Sequence, residues 1–358
     1  MSQASSGYLR PALSILKWVI ALGIIAYLVS QNRESFEQIS TKTIDWRFLI
    51  AAFALCGGSI VLTFYRWYLL VIALDFPFRF SDALRLGSLG ILSNFVGPGG
   101  VGGDVVKAVL MAREQKGRRS VAIATILLDR ILGLIGLLII GAGATLLVAD
   151  HIDHRNTIVA ILWGGSIAGL TGVVVLLHPA TPRSWWMKRL IRVPKVGGII
   201  ADIADGISLY HQRRTIVALT VVLSVVSHFG LISSFYCCAR IIATAPETPS
   251  YVTQLLLFPL AEIVGVIVPL PGGVGALEAA VEESYSLASK DPAIGLIAVG
   301  AYRISQIVVA AIGSVFYMAS RRQIQELLAA EEARTNAEPA NAAQQTEQTE
   351  VPASEPDT

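Results

Sequence analysis

The pentapeptide PGGVG occupies residues 98–102 and returns at 271–275, each time inside a hydrophobic stretch. Proline removes a helical N–H donor, and glycine permits a sharp reversal and close backbone approach. Such a peptide in apolar sequence reads as the tip of a hairpin. The tip residues are Pro98, Gly99, Gly100 and Gly102 in the first copy and Pro271, Gly272, Gly273 and Gly275 in the second. Broken helix ends at membrane depth leave backbone polar groups that protein or a polar cavity must satisfy. A helix starting after the turn also offers N–H groups and a positive dipole end to an anion. The alternative is a plain tight turn between two ordinary spans.

Composition places these hairpins in a membrane. Of 358 residues, 54% are hydrophobic and 15% charged, against ~25% charged in soluble domains. The run IVALTVVLSVVSHFGLISSFYCCARIIA (216–243) is long enough to cross a hydrocarbon layer of ~30 Å. The expectation is an all-α, polytopic helical membrane protein rather than two soluble domains. No P-loop, GxSxG or dinucleotide fingerprint is present, so no cofactor, no nucleic-acid partner and no ATP-driven chemistry is expected. Cys56, Cys237 and Cys238 fall within predicted spans and read as buried free thiols.

Basic residues in short loops set orientation. AREQKGRR (112–119), the stretch 183–214 and RRQ (321–323) are basic and read as cytoplasmic, whereas DHIDHR (150–155) and TAPETPS (244–250) read as outside. The path is then 13–30 out, 48–72 in, a hairpin over 83–112, 120–149 out, 156–177 in, 216–243 out, a second hairpin over 252–289, and 292–318 in. The run Leu13 to Ser30 reads as a retained span rather than a signal peptide. Residues 1–330 form the membrane domain, with repeats at about 13–149 and 156–320, and both termini are expected in the cytoplasm. Residues 331–358 carry seven acids and one arginine, so the rest of the chain is +8 where the whole is +2; this polar tail reads as disordered. Within 183–214, Ile199, Ile200, Ile203, Ile207 and Tyr210 recur at helical spacing after Trp185 and Trp186. That pattern predicts an interfacial helix, with partner docking as the alternative.

The two pentapeptides are 173 residues apart, and the same offset carries Arg130 onto Arg303; Arg66 falls one residue short of Arg240. An odd number of crossings separates the hairpins, so the second opens to the opposite side. This is the pattern of an inverted-topology repeat, whose binding site lies near the bilayer midplane between the repeats. Chance recurrence in glycine-rich membrane sequence is the alternative.

Charges inside predicted spans mark the candidate site. ILLDRILGL puts Asp129 and Arg130 roughly 13–15 Å deep at 1.5 Å per residue, and GAYRISQ puts Arg303 at similar depth. Each costs ~2.5–3.5 kcal/mol facing lipid, so they face a cavity or pair. Arg130 and Arg303 are expected to bind an anion, with Asp129 orienting one of them, because a guanidinium fork suits phosphate oxygens. The structural alternative is a salt bridge from Asp129 to Arg303. Asp104 and Lys107 follow the first tip, Glu278 follows the second, Glu262 lies on the arm entering it, and Asn94 precedes the first. These carboxylates could cap helix starts, take up protons or bind a headgroup amine. His228 reads as a packing histidine, with a proton relay as the alternative. Nothing completes a metal site around DHIDH (150–154).

NFVGPGGVGGDVVKAVLMAREQKGRRSVAIATILLDRILGLIGL (94–137) and PLPGGVGALEAA (269–280) resemble the two signature regions of the lysylphosphatidylglycerol synthase transmembrane-region family. The resemblance covers roughly residues 13–320. It implies a flippase-like membrane domain; in the multiple peptide resistance proteins such a domain moves lysyl-phosphatidylglycerol between leaflets, and stand-alone members are linked to polyprenyl- or hopanoid-related lipids. It places functional weight on Asp104, Asp129, Arg130, Glu278 and Arg303. No aminoacyl-transfer domain follows residue 320 here, so synthesis of lysyl-lipid is not expected. The expected function is lipid translocation in the bacterial inner membrane, not enzyme catalysis, with a membrane lipid as substrate. A homo-oligomer or a separate lipid-synthesising enzyme is the protein partner the reading leaves open. A membrane-embedded lipid-modifying transferase and a scaffold of an envelope-assembly complex are the alternatives.

Overall fold

A computed structural model describes residues 42–96, 102–114, 118–148, 155–181, 184–192, 197–268 and 270–315, with scattered positions between 19 and 37. Most of the expected first span, the tip residues Pro98, Gly99 and Gly100, the 150–154 loop and the acidic tail lie outside them. Every long regular element among the described residues is an α-helix. In chain order these are α1 (Trp46–Ile72), α2 (Phe80–Val96), α3 (Gly102–Glu114), α4 (Arg119–Ala144), α5 (Arg155–Leu177), α6 (Trp185–Ile191), α7 (Gly197–Ser208), α8 (Arg214–Arg240), α9 (Tyr251–Ile267), α10 (Ala276–Leu287) and α11 (Pro292–Val315).

Among the described residues five helical runs are long and apolar enough to cross a membrane: α1, α4, α5, Ile203–Arg240 and α11. The protein is therefore an all-α, multi-pass membrane protein. The hairpin arms are shorter. α2 and α3 have 17 and 13 residues, α9 and α10 have 17 and 12. At 1.5 Å per residue α3 and α10 reach only ~20 and ~18 Å, short of the ~30 Å hydrocarbon thickness. The outgoing arm of each hairpin is thus shorter than that thickness.

Helices α1, α4 and α8 form the centre. Lipid supplies no hydrophobic drive between helices, so close approach of small residues does. A Cβ at Gly230 would lie 2.2 Å from Ser59 Oγ, and one at Gly136 would lie 2.6 Å from Ser224 Cβ. Ser234 Oγ donates to the Ala52 carbonyl at 2.8 Å. The N-cap Asp45 accepts from the Arg47 N–H at 2.9 Å, and its own N–H donates to the Ile241 carbonyl at 2.8 Å, tying the start of α1 to the end of α8. The most apolar window of α4 is 67% buried, against 22% for α5. Thus α4 is the inner helix and α5 the rim. Cys56, Cys237 and Cys238 are buried free thiols.

The stretch 183–214 is not one interfacial helix. It divides into α6, α7 and a 3₁₀ turn, Leu209–Arg213, that leads into α8. α7 packs on α4, where a Cβ at Gly206 would meet Ala124 Cβ at 2.9 Å. Ile207 and Tyr210 are buried, and the Tyr210 hydroxyl donates to the Leu70 carbonyl at 2.7 Å. At Ile207 and Tyr210 the predicted apolar face is covered by protein.

Candidate functional site

Each hairpin delivers a carboxylate at the third residue of its outgoing helix: Asp104 in α3 and Glu278 in α10. The long helix that follows in each case supplies an arginine. Arg130 Nε on α4 donates to Asp104 Oδ2, and Arg303 Nε on α11 donates to Glu278 Oε1 at 2.6 Å. The partners are 26 residues apart in the first pair and 25 in the second. One construction therefore occurs twice, once per hairpin.

The second hairpin is closed by its own residues. Arg303 Nη2 also donates to Glu278 Oε2 at 3.2 Å, while Nη1 and Nη2 reach the Gly272 and Gly273 carbonyls at 2.9 and 3.1 Å. Glu278 Oε2 accepts the Gly275 N–H at 2.7 Å. Gly272, Gly273 and Gly275 have φ of 60°, 65° and 88°, a region open to glycine. The arginine thus satisfies the carbonyls that the broken helix exposes, and Glu278 occupies the helix start where an outside anion was anticipated.

In the first hairpin Asn94 Oδ1 accepts the Gly103 N–H at 2.7 Å, covering the start of α3. Lys107 Nζ lies 3.6 Å from Asp104 Oδ1 and 5.3 Å from the centroid of the Trp67 ring. Two cations therefore face Asp104. The Arg130 side chain is 34% exposed and that of Arg303 12%. Arg130 is the more accessible of the matched arginines.

Asp129 does not orient Arg130 or Arg303, nor does it bridge to Arg303. It is held by Arg66 of α1, Nε to Oδ1 at 2.8 Å and Nη2 to Oδ2 at 3.0 Å, with Arg66 Nη1 donating to Ser224 Oγ at 2.8 Å. Arg66 is 3% exposed and Asp129 8%, so this ion pair belongs to the α1–α4–α8 core. His228 stands beside it, its Nδ1 2.8 Å from the Ser224 carbonyl, as a packing histidine. Arg240 is no counterpart of Arg66: it donates to the Ala243 carbonyl at 3.1 Å and the Tyr236 hydroxyl at 3.0 Å and lies 4.7 Å from the Phe48 ring centroid. Sequence reasoning noted Arg66 only for its near-register with Arg240 and missed it as the partner of Asp129.

Besides the α1–α4–α8 centre, the two halves meet where the second hairpin packs on the first half. α9 packs on α4, and α2 touches the turn at Pro271–Gly273. Glu262 on α9 has Oε2 buried with no hydrogen-bond partner, and its electrostatic neighbour is Arg130. The Tyr302 hydroxyl, one residue before Arg303, is likewise buried without a partner. Among the described residues no group of three or more His, Cys, Asp or Glu is disposed to hold a metal.

Residues 14–313 match the family described as the lysylphosphatidylglycerol synthase TM region, and the chain belongs to that family. Comparison with the curated proteins finds no match.

Proposed function

We propose that this protein moves a lipid between the leaflets of the bacterial inner membrane, with both termini in the cytoplasm and its two halves inverted relative to each other. The observation that carries the reading is the matched pair Asp104–Arg130 and Glu278–Arg303, one per hairpin. Charged groups at membrane depth are costly and mark substrate or ion pathways, and paired halves built on broken helices are how transporters frame a midplane site. A lipid headgroup phosphate is the ligand that suits both arginines; the hairpin carboxylates hold them until it arrives. No chemical step is assigned to these residues. A membrane lipid is the substrate, whether it is a phospholipid or a polyprenyl- or hopanoid-type lipid, and a separate lipid-synthesising enzyme or a second copy is the fitting protein partner.

The test is lipid exchange in proteoliposomes, with fluorescent lipids of different headgroups and an external quencher. Wild type should flip some headgroups and not others, and Arg130→Ala and Arg303→Ala should both lose that movement. Folded wild type that moves no headgroup would overturn the reading and return the transferase and scaffold alternatives.

A further inference from the structure

We propose that Glu262 is a proton-binding site that admits an anionic phosphodiester headgroup to Arg130, one proton per headgroup. The inference rests on the lipid-translocator reading and names its coupling ion.

Three observations carry it. The first is position. Glu262 lies on α9, the arm entering the second hairpin, and α9 packs on α4, which carries Arg130. Its carboxyl interacts electrostatically with Arg130 of the first half and with Tyr302 of the second. The second is its missing partner. Glu262 Oε2 and the Tyr302 hydroxyl are both buried and unbonded. The Glu262 side chain as a whole is half-buried, but an ionised carboxylate with one oxygen buried and unpaired is disfavoured, and it is relieved either by a proton or by drawing a cation to itself. The cation that acts on it is Arg130, already held by Asp104. Ionised Glu262 thus competes with Asp104 for one guanidinium, exchanging a pair within the first half for a pair between halves.

The third is charge. Lys107, Arg130 and Arg303 face the two hairpin carboxylates, Asp104 and Glu278. Among these described groups, three cations then face two carboxylates when Glu262 is protonated, which favours one phosphodiester, and three carboxylates when it is ionised. Other charged or titratable groups on the surrounding elements are Arg119 and Asp129, the latter bound to Arg66, on α4; Arg214, His228, Tyr236, Cys237, Cys238 and Arg240 on α8; Tyr251 on α9; Glu282, Glu283 and Tyr285 on α10; and Tyr302 on α11. Pro259 sits inside α9 three residues before Glu262. It removes the hydrogen bond to the Leu255 carbonyl and marks where this arm can bend.

The experiment is calorimetry of dihexanoylphosphatidylglycerol binding to the purified protein in buffers of different ionisation enthalpy. Wild type should take up one proton per lipid bound above the pH at which Glu262 titrates, so affinity should fall about tenfold per pH unit there. Glu262→Gln should take up none and lose that slope, and Glu262→Asp should restore it. An unchanged proton count in Glu262→Gln overturns the proposal. A second measurement needs no lipid: infrared titration of the folded protein should show a carboxylic-acid band that disappears as pH rises and is missing from Glu262→Gln. A wild type lacking that band overturns the proposal as well. If the band is present but no lipid moves in proteoliposomes, the translocator reading fails while the proton site stands.

Discussion

Arg66 on α1 grips Asp129 on α4 at 2.8 and 3.0 Å, turning Asp129 away from Arg130, its neighbour in the chain. Adjacent residues in an α-helix point about 100° apart at 3.6 residues per turn. Asp129 therefore faces the α1–α8 core while Arg130 faces the first hairpin. Removing one member leaves a buried unpaired charge. Arg66→Ala and Asp129→Ala should each destabilise the protein by about 3–5 kcal/mol. The double variant Arg66→Met with Asp129→Leu should recover most of that loss. Denaturant unfolding in micelles, arranged as a double-mutant cycle, checks it; a double variant worse than either single one would show that the pair does more than fasten two helices.

The second tip is equally constrained. Gly273 has φ +65°, and a Cβ there would stand 2.1 Å from the Gly265 carbonyl oxygen, which is backbone and cannot swing away. Left-handed strain adds about 1–2 kcal/mol and overpacking about 1–3 kcal/mol. Gly273→Ala should therefore cost several times more stability than Gly300→Ala, whose Cβ would meet nothing within 4 Å. Unfolding midpoints of the two variants, measured side by side, decide the point.

How much of this was readable follows from what each feature depends on. Spans depend on local apolar runs, so 48–72, 156–177 and 216–243 appear as Trp46–Ile72, Arg155–Leu177 and Arg214–Arg240. The second tip was readable because proline and glycine act where they stand. The pairings were not, because they depend on helix azimuth and on partners far apart: Arg66 and Asp129 are separated by 63 residues. Arg66 lies only six residues from the end of α1, so in sequence it resembles a side chain reaching toward the interface. The offset that matches Arg130 to Arg303 misses the carboxylates by one residue, since the two chain separations are 26 and 25. Likewise, the isoleucine period in α7 shows an apolar face without saying whether lipid or α4 covers it.

Arg303 is a geometric requirement as much as a charge. Its three nitrogens serve both Glu278 oxygens and the Gly272 and Gly273 carbonyls. A lysine ammonium is a compact point charge without that planar fork. Arg303→Lys should leave tip carbonyls unpaired at about 1–3 kcal/mol each. It should therefore open the second tip, with a cysteine placed at Val274 becoming reactive to a membrane-impermeant thiol reagent. Unchanged labelling would mean that charge alone holds the turn.

A last pair lies outside the spans. Lys42 donates to Glu247 Oε1, and the Thr244 N–H and hydroxyl donate to Oε2 at 2.6 and 2.7 Å. The Lys42 hydrogen bond first, and then those from Thr244, hold the Glu247 carboxyl at about 2, below its ordinary 4.5. A depressed carboxylate contributes stability that is complete above its unfolded value and is lost as pH falls through the folded one. Between pH 4.5 and about 2 the wild type should therefore lose stability in a step that Glu247→Gln lacks. The side chain is 38% exposed, so solvent screens the pair and the step should be small and shrink further with added salt. Unfolding midpoints of wild type and Glu247→Gln across that window, at low and high ionic strength, test it: parallel curves would mean that the loop after α8 is held by its capping turn and not by Lys42.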